Sequence, residues 1–168
     1  MRILLPIIAL WLLVQGCNAV GCTDNQNSVP LAGFYSMSTL APMNVDSIAI
    51  SGIDAPNDSL LLAPSEIAHQ VYLPLRANQP QTEFVISYRQ HALDYPEFRD
   101  TIRIAYKSIP YFASEDCGAM YHYRITSLIH TTHLIDSIGL SDSTITNVER
   151  ETISIYFRTS NPDEDDPA

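Results

Sequence analysis

Glycine and basic residues are scarce in this sequence, and each scarcity argues against a class of function. Among the 168 residues there are 6 glycines, and they form no glycine-rich loop for phosphate. The chain contains no Gly-x-Ser-x-Gly motif and no metalloprotease motif with paired histidines and a glutamate. Lys and Arg number 9 against 19 Asp and Glu, and the formal net charge of −10 argues against nucleic acid and an anionic membrane surface as partners. The motifs therefore predict no catalytic, cofactor-binding or metal-binding residue.

The longest apolar run lies at the N-terminus. Arg2 precedes twelve consecutive apolar residues at positions 3–14, and Gly16 supplies a small residue soon after them. This order is typical of a secretory signal peptide, and the run is too short for a transmembrane helix, which needs about 20 residues. We predict a lipoprotein signal peptide over residues 1–16, with a buried core helix as the alternative.

Residues 14–17, Val-Gln-Gly-Cys, resemble the lipobox of bacterial lipoproteins. The resemblance implies that the chain is cut before Cys17, that its thiol is alkylated with diacylglycerol and that its new amine is acylated. Several acyl chains hold a protein on a membrane effectively permanently. A second box ends at Cys22 but lies further from the apolar run, so the predicted lipidation site is Cys17.

The cysteine count changes if Cys17 carries lipid. Cys22 and Cys117 then remain as an even pair in an oxidising compartment, which favours a disulfide between them. Two buried or free thiols are the alternative, and lipidation of Cys22 instead would leave Cys117 unpaired.

Alternating apolar residues indicate strands through most of the chain. Ile102, Ile104 and Tyr106 form one face of the clearest strand, residues 101–107, and Pro74 predicts an edge strand. No segment of ten or more residues has a helical period. Further strands are predicted at 31–39, 46–52, 69–75, 82–89, 120–130, 135–140, 144–148 and 152–158, with an apolar run after a turn at 60–62 and a turn-bearing segment at 111–118.

This pattern predicts an all-β fold, a single antiparallel β-sandwich of about seven to nine strands, with a lipocalin-like barrel as the alternative. The predicted organisation is a lipidated tether over residues 17–28, the β-sandwich domain over 29–160 and an acidic disordered tail over 161–168.

Histidines and tyrosines are the remaining candidates for chemistry. His130 and His133 are spaced like metal ligands, but no third ligand is fixed, and ordinary exposed histidines are the simpler interpretation. A non-sequential hydrolase site built from His122, His130 or His133 with nearby Ser or Asp is one alternative function. Exposed tyrosines of a glycan-binding, lectin-like domain are another. The acidic residues 163–166 indicate a disordered tail rather than a Ca²⁺ site.

A tripeptide of aspartate, a hydroxyl residue and then an aliphatic residue or threonine occurs five times. It resembles the O-glycosylation sequon of Bacteroidetes, which implies a glycan on the hydroxyl. The alternative is that aspartate before Ser or Thr simply leads a turn into a strand. The acceptors would be Ser47, Ser59, Thr101, Ser137 and Ser143.

Several segments together resemble an uncharacterised family of small Bacteroidetes lipoproteins with a domain of unknown function. They are residues 46–52, 73–75, 100–106, 114–118 and 153–157, and the resemblance extends over residues 17–158. It implies a location and no activity, and it supports Cys22 and Cys117 as a structural pair.

We therefore expect a lipid-anchored cell-envelope protein of unknown activity, a non-catalytic binding or accessory module on the outer membrane that faces the periplasm. The expected partners are membrane lipid, through the acylated N-terminus, and envelope proteins or glycans. No cofactor and no nucleic acid is expected.

Overall fold

Strands form nearly all the regular structure in the computed structural model, which describes residues 22, 27–90, 93 and 98–159. The strands are β1 (Leu31–Ser36), β2 (Ala49–Gly52), β3 (Leu60–Leu62), β4 (Gln70–Tyr72), β5 (Gln81–Ser87), β6 (Arg99–Ser114), β7 (Gly118–His130), β8 (Ile135–Leu140), β9 (Thr144–Ile145) and β10 (Glu151–Phe157). A 3₁₀ turn, Pro56–Asp58, precedes β3. Within these residues, no helix has the length and apolar character needed to cross a membrane.

The strands form two sheets that pack face to face. One sheet has the order β4-β1-β10-β8, and the other has the order β3-β2-β5-β6-β7-β9. Alternate side chains of both sheets point between them, and Phe34 and Phe157 meet there edge to face, with ring centroids 5.6 Å apart. The predicted all-β sandwich is confirmed.

One strand pair runs against the predicted direction. Strands β1 and β10 are parallel, with Phe34 opposite Ile155, whereas every other strand pair in the described chain is antiparallel. Alternation of apolar residues indicates which face of a strand is buried, but it carries no information about the direction of the neighbouring strand. The ten strands of the described residues exceed the predicted range because the apolar run after the turn at residues 56–58 forms a short strand of its own, β3.

The β6–β7 hairpin is longer than predicted. Residues 111–114, expected in a turn-bearing segment, continue β6, and only residues 115–117 connect it to β7. Pro110 does not end the strand, although it cannot donate a backbone hydrogen bond. On the side away from β7, the ladder between β5 and β6 has already ended at Ala105, so Pro110 interrupts no sheet there.

Candidate functional site

The end of the β6–β7 hairpin extends beyond the rest of its sheet. Pairing of β6 with β5 ends at Ala105, and pairing of β7 with β9 involves only Tyr123 and Arg124. Residues 108–122 are therefore a two-stranded ribbon, named here the hairpin arm. An isolated two-stranded ribbon is marginally stable in water, so further contacts are needed to fix its position.

A disulfide supplies such a contact at the tip of the arm. Cys22 is bonded to Cys117 with a Cα–Cα distance of 4.7 Å, within the usual range, which confirms the predicted pair. The Cys117 backbone N–H donates to Ser114 Oγ at 3.0 Å, and Gly118 takes a φ of 72° that suits glycine. The N-terminal end of the described chain is thus tied covalently to the tip.

The arm presents apolar side chains to solvent. Phe112 belongs to the row of β6 residues that points into the core at Ile104 and Tyr106, yet it is 64% exposed because the opposite sheet does not reach it. The arm contains no Lys or Arg, and its acidic residues Glu115 and Asp116 lie at the tip. Its exposed large apolar side chains are Ile109, Tyr111, Phe112 and Tyr121.

A shallow groove of about 330 Å³ runs beside the base of the arm. Residues 27–29 form one wall, and Leu75, Met120 and Tyr121 contribute to the others. The Ser28 hydroxyl is buried there without a hydrogen-bond partner in the described part of the chain. The groove therefore has a mixed lining of polar and apolar groups, and residues 27–29 lie there against the base of the arm.

The rings of the three histidines in the hydrolase hypothesis have different surroundings. His122 stacks on Tyr111 with ring centroids 4.2 Å apart, and His133 stacks on Phe98 at 5.2 Å. His130 Nδ1 lies 2.8 Å from the Thr131 carbonyl oxygen. Among residues 22, 27–90, 93 and 98–159, none of these three rings has a hydrogen bond to a Ser or Asp side chain. The site that this hypothesis requires is therefore not assembled from them.

The metal-site alternatives gain no support from the geometry. No group of three His, Cys, Asp or Glu side chains in the described residues is arranged to hold a metal ion. His130 and His133 thus lack the further ligands that a site needs. The acidic residues 163–166 lie outside the described residues.

Exposed tyrosines do not share one surface in the described chain. Tyr111 is paired with Met120 and Tyr121 with Pro110, so the two rings point to opposite faces of the arm. Tyr72 lies on β4 in the other sheet, where its hydroxyl donates to Glu149. A common stacking platform for a sugar, which the lectin-like hypothesis needs, is not formed by these three.

Asp100 has a role that the sequence did not reveal. Its carboxylate is buried in β6, and Oδ1 accepts from the His133 N–H at 2.9 Å and from the Thr131 hydroxyl at 2.5 Å. Oδ2 accepts from the Leu134 and Ile135 N–H groups at 2.7 and 3.0 Å, and from a tyrosine hydroxyl. Asp100 therefore holds the loop that leads from β7 in one sheet to β8 in the other.

The surroundings of Asp100 shift two pKa values. Burial alone would raise the pKa of its carboxyl, but the hydrogen bonds from Thr131 and the backbone of residues 133–135 outweigh burial, and the pKa is lowered. Tyr88 donates its hydroxyl to the carboxylate at 3.0 Å, and burial together with the negative charge of Asp100 raises the pKa of this phenol strongly. The pair is an ionised acid held by neutral donors.

The five predicted glycosylation acceptors differ in exposure. Ser59 and Ser143 are exposed in connections before β3 and β9. The other three are half-buried: Ser47, Thr101 and Ser137. Asp142, next to Ser143, accepts the Thr144 N–H at 2.7 Å and forms an ion pair with Arg150, so the alternative role of the aspartate as a turn residue also has support.

The predicted lipidation site lies outside the described residues. This holds for Cys17, for the signal peptide at residues 1–16 and for the acidic tail at residues 161–168, so these remain predictions. Cys22, the alternative lipidation site, lies within the described residues and is occupied by the disulfide.

Comparison with known proteins identifies one family. A model described as "Family of unknown function (DUF6452)" matches residues 47–157, from just before β2 to the end of β10. No curated protein matches the chain, and no solved structure matches it.

Proposed function

This chain belongs to the family of unknown function (DUF6452), and from that premise we propose that it is a lipid-anchored protein of the bacterial cell envelope. The anchor is Cys17, the source is a member of the Bacteroidetes, and the domain faces the periplasm from the outer membrane. Its role is that of a non-catalytic binding or accessory module.

The Cys22–Cys117 disulfide is the observation that carries this proposal. Of the two cysteines that end a lipobox-like sequence, Cys22 has its sulfur in the disulfide, and Cys17 is the one left for alkylation. A disulfide also fits an oxidising compartment outside the cytoplasm, to which the apolar residues 3–14 would direct the chain.

A role as a binding module is supported by the surface of the domain. In the described residues, the histidine rings of the hydrolase alternative make no hydrogen bond to a Ser or Asp side chain, whereas the hairpin arm exposes apolar side chains at one end of the sandwich. The formal net charge of −10 disfavours nucleic acid, so the partners proposed are envelope proteins or glycans.

The anchor can be tested with one variant and one matched control. We expect Cys17→Ser to move the protein from the detergent phase to the aqueous phase and to abolish a globomycin-sensitive shift in gel mobility. The double variant Cys22→Ser/Cys117→Ser should keep both properties, since it leaves Cys17 unchanged. Detergent-phase partitioning that survives Cys17→Ser would contradict the proposal.

The envelope location and the accessory role need separate measurements. Protease should leave the domain intact in whole cells and digest it once the outer membrane is opened, as expected for the periplasmic side. Cross-linking in intact envelopes followed by affinity capture should return specific envelope components. Digestion of the domain in whole cells would count against the periplasmic location. Capture of background proteins alone would count against the accessory role.

Ser59 and Ser143 are proposed as the glycan acceptors, because they are the exposed hydroxyls of the five tripeptides. We expect the native protein to be heavier than its cytoplasmically expressed form by a glycan mass. The double variant Ser59→Ala/Ser143→Ala should lose that mass, whereas Thr101→Ala should retain it. Native protein without any added sugar would refute this assignment.

A further inference from the structure

We propose that the hairpin arm, residues 108–122, docks on the surface of the membrane that anchors the protein, with its apolar side chains in the interfacial region of a zwitterionic phospholipid bilayer. The arm would then hold one end of the sandwich at the membrane. This inference rests on the proposed lipidation of Cys17.

The covalent path from the lipid to the arm is short. Five peptide units connect Cys17 to Cys22, and a fully extended chain of that length spans at most about 18 Å. Cys22 is bonded directly to Cys117 at the tip, with 4.7 Å between their Cα atoms. The tip therefore stays close to the acylated residue whatever course the intervening residues take, and no domain orientation carries the tip far from the bilayer.

The side chains of the arm have the chemistry that a bilayer interface favours. Tyr111 and Tyr121 combine an apolar ring with a polar hydroxyl, which is the combination enriched at membrane–water interfaces. Phe112, 64% exposed, and Ile109 would bury apolar surface there. Because both faces of the ribbon carry such groups, the arm can lie in the interface with either face turned toward the acyl chains.

The charge pattern selects the kind of lipid. No Lys or Arg lies in the arm to attract anionic headgroups, and Glu115 and Asp116 are exposed at its tip. The formal net charge of −10 would repel an anionic surface. A zwitterionic headgroup imposes no such repulsion, and the burial of aromatic and aliphatic groups then supplies the attraction.

A tryptophan reporter can detect this contact. Trp11 is the single tryptophan of the chain and lies in the predicted signal peptide, so the mature protein would have none. We suggest Phe112→Trp in the arm and, as the matched control, Phe98→Trp, which makes the same change just before β6 begins at the opposite end of that strand. The lipidated protein would be reconstituted into phosphatidylcholine vesicles whose acyl chains carry bromine, a quencher of tryptophan.

We expect the tryptophan at position 112 to be quenched about twofold, with a blue-shifted emission, and the one at position 98 to be nearly unaffected. Tyr121→Trp, on the other strand of the arm, provides a second reporter if the first variant folds poorly. Equal quenching at the two ends of β6, with the protein still bound to the vesicles, would overturn the proposal.

Two other outcomes have distinct meanings. A protein that does not float with the vesicles would show that the anchor is absent, which overturns the proposed function and this inference together. A blue-shifted but unquenched reporter, with cross-linked dimers on the vesicles, would show that the arm packs against a second copy of the chain instead of lipid.

Discussion

Replacing Asp100 by Asn tests how the two sheets are joined. The carboxylate offers two acceptor oxygens, and its described donors include three backbone N–H groups of residues 133–135. An amide keeps one oxygen and turns an NH₂ group toward the remaining donors. At least one N–H at the start of β8 or in the loop before it would then lose its acceptor.

The magnitude follows from the hydrogen bonds that are lost or weakened. An unsatisfied buried donor costs about 1–3 kcal/mol, and bonds to a neutral acceptor are about half as strong as those to a charged one. We expect Asp100→Asn to lower the free energy of unfolding by about 2–4 kcal/mol. Urea denaturation followed by circular dichroism at neutral pH would measure the loss.

Asp136→Asn is the matched control. Asp136 forms an ion pair with Arg158 at 3.2 Å on the surface, so losing its charge should change stability by less than about 1 kcal/mol. If Asp100→Asn destabilised the protein no more than this control, the assigned role of the buried carboxylate would be refuted.

The lowered pKa of Asp100 gives a second readout. Because its folded-state pKa lies below the unfolded value, the stabilisation is fully present above the unfolded pKa of about 4 and is lost as the pH falls through the folded pKa. The stability gap between the wild type and Asp100→Asn should therefore narrow below about pH 4. A gap that stays constant into strong acid would show that ionisation of this group does not matter.

Three further substitutions probe the arm, a turn and the core. Cys22→Ser/Cys117→Ser removes a crosslink with a sequence separation of 95, and we expect urea denaturation to show a loss of up to about 4.7 kcal/mol from added unfolded-state entropy. Tyr106→Phe removes a hydroxyl that donates to the Arg76 carbonyl oxygen at 2.9 Å and accepts its N–H at 2.8 Å, so thermal unfolding should show a loss of about 1–3 kcal/mol. Phe157→Ala leaves a cavity in the core between the sheets, and chemical denaturation should show a loss of about 3–5 kcal/mol.

Each of these expectations has its own contrary result. Wild-type stability that does not change when a reductant is added would contradict the role given to the disulfide. If Tyr106→Phe were as stable as the wild type, the turn that begins at Arg76 would not depend on the Tyr106 hydroxyl. Tyr35→Phe, at a ring that lies outside the core, is the control for Phe157→Ala, and an equal loss in the two variants would contradict the assigned core.

The alternation of apolar and polar residues predicted most strands, because side chains on the buried face of a sheet recur at every second residue. Ile102, Ile104 and Tyr106 are buried as predicted, and strand β8 has the predicted bounds, Ile135–Leu140. The parallel pairing of β1 with β10 could not be predicted in this way, since these strands are far apart in sequence and their patterns do not encode direction.

The features of the candidate site were harder to predict than the strands. Cys22 and Cys117 could be paired from the cysteine count and the expected compartment, without any geometry. The exposure of Phe112 depends on where the opposite sheet ends, which is a tertiary property. In sequence, Asp100 resembled other aspartates that precede a hydroxyl residue. Its donors come from residues 131–135, which lie close to it only in the folded chain. Its position inside an alternating strand was the available signal, because a charged residue in an inward-facing row needs partners.

The mass of the native N-terminal fragment, released by proteolysis without reduction, tests the central claim most directly. Lipid attachment at Cys17 predicts a fragment that begins at that residue, carries acyl mass on it and remains disulfide-linked through Cys22 to the peptide that contains Cys117. A fragment that begins at Met1, one that begins further along without acyl mass, or one with lipid on Cys22 and a free Cys117 would contradict the account.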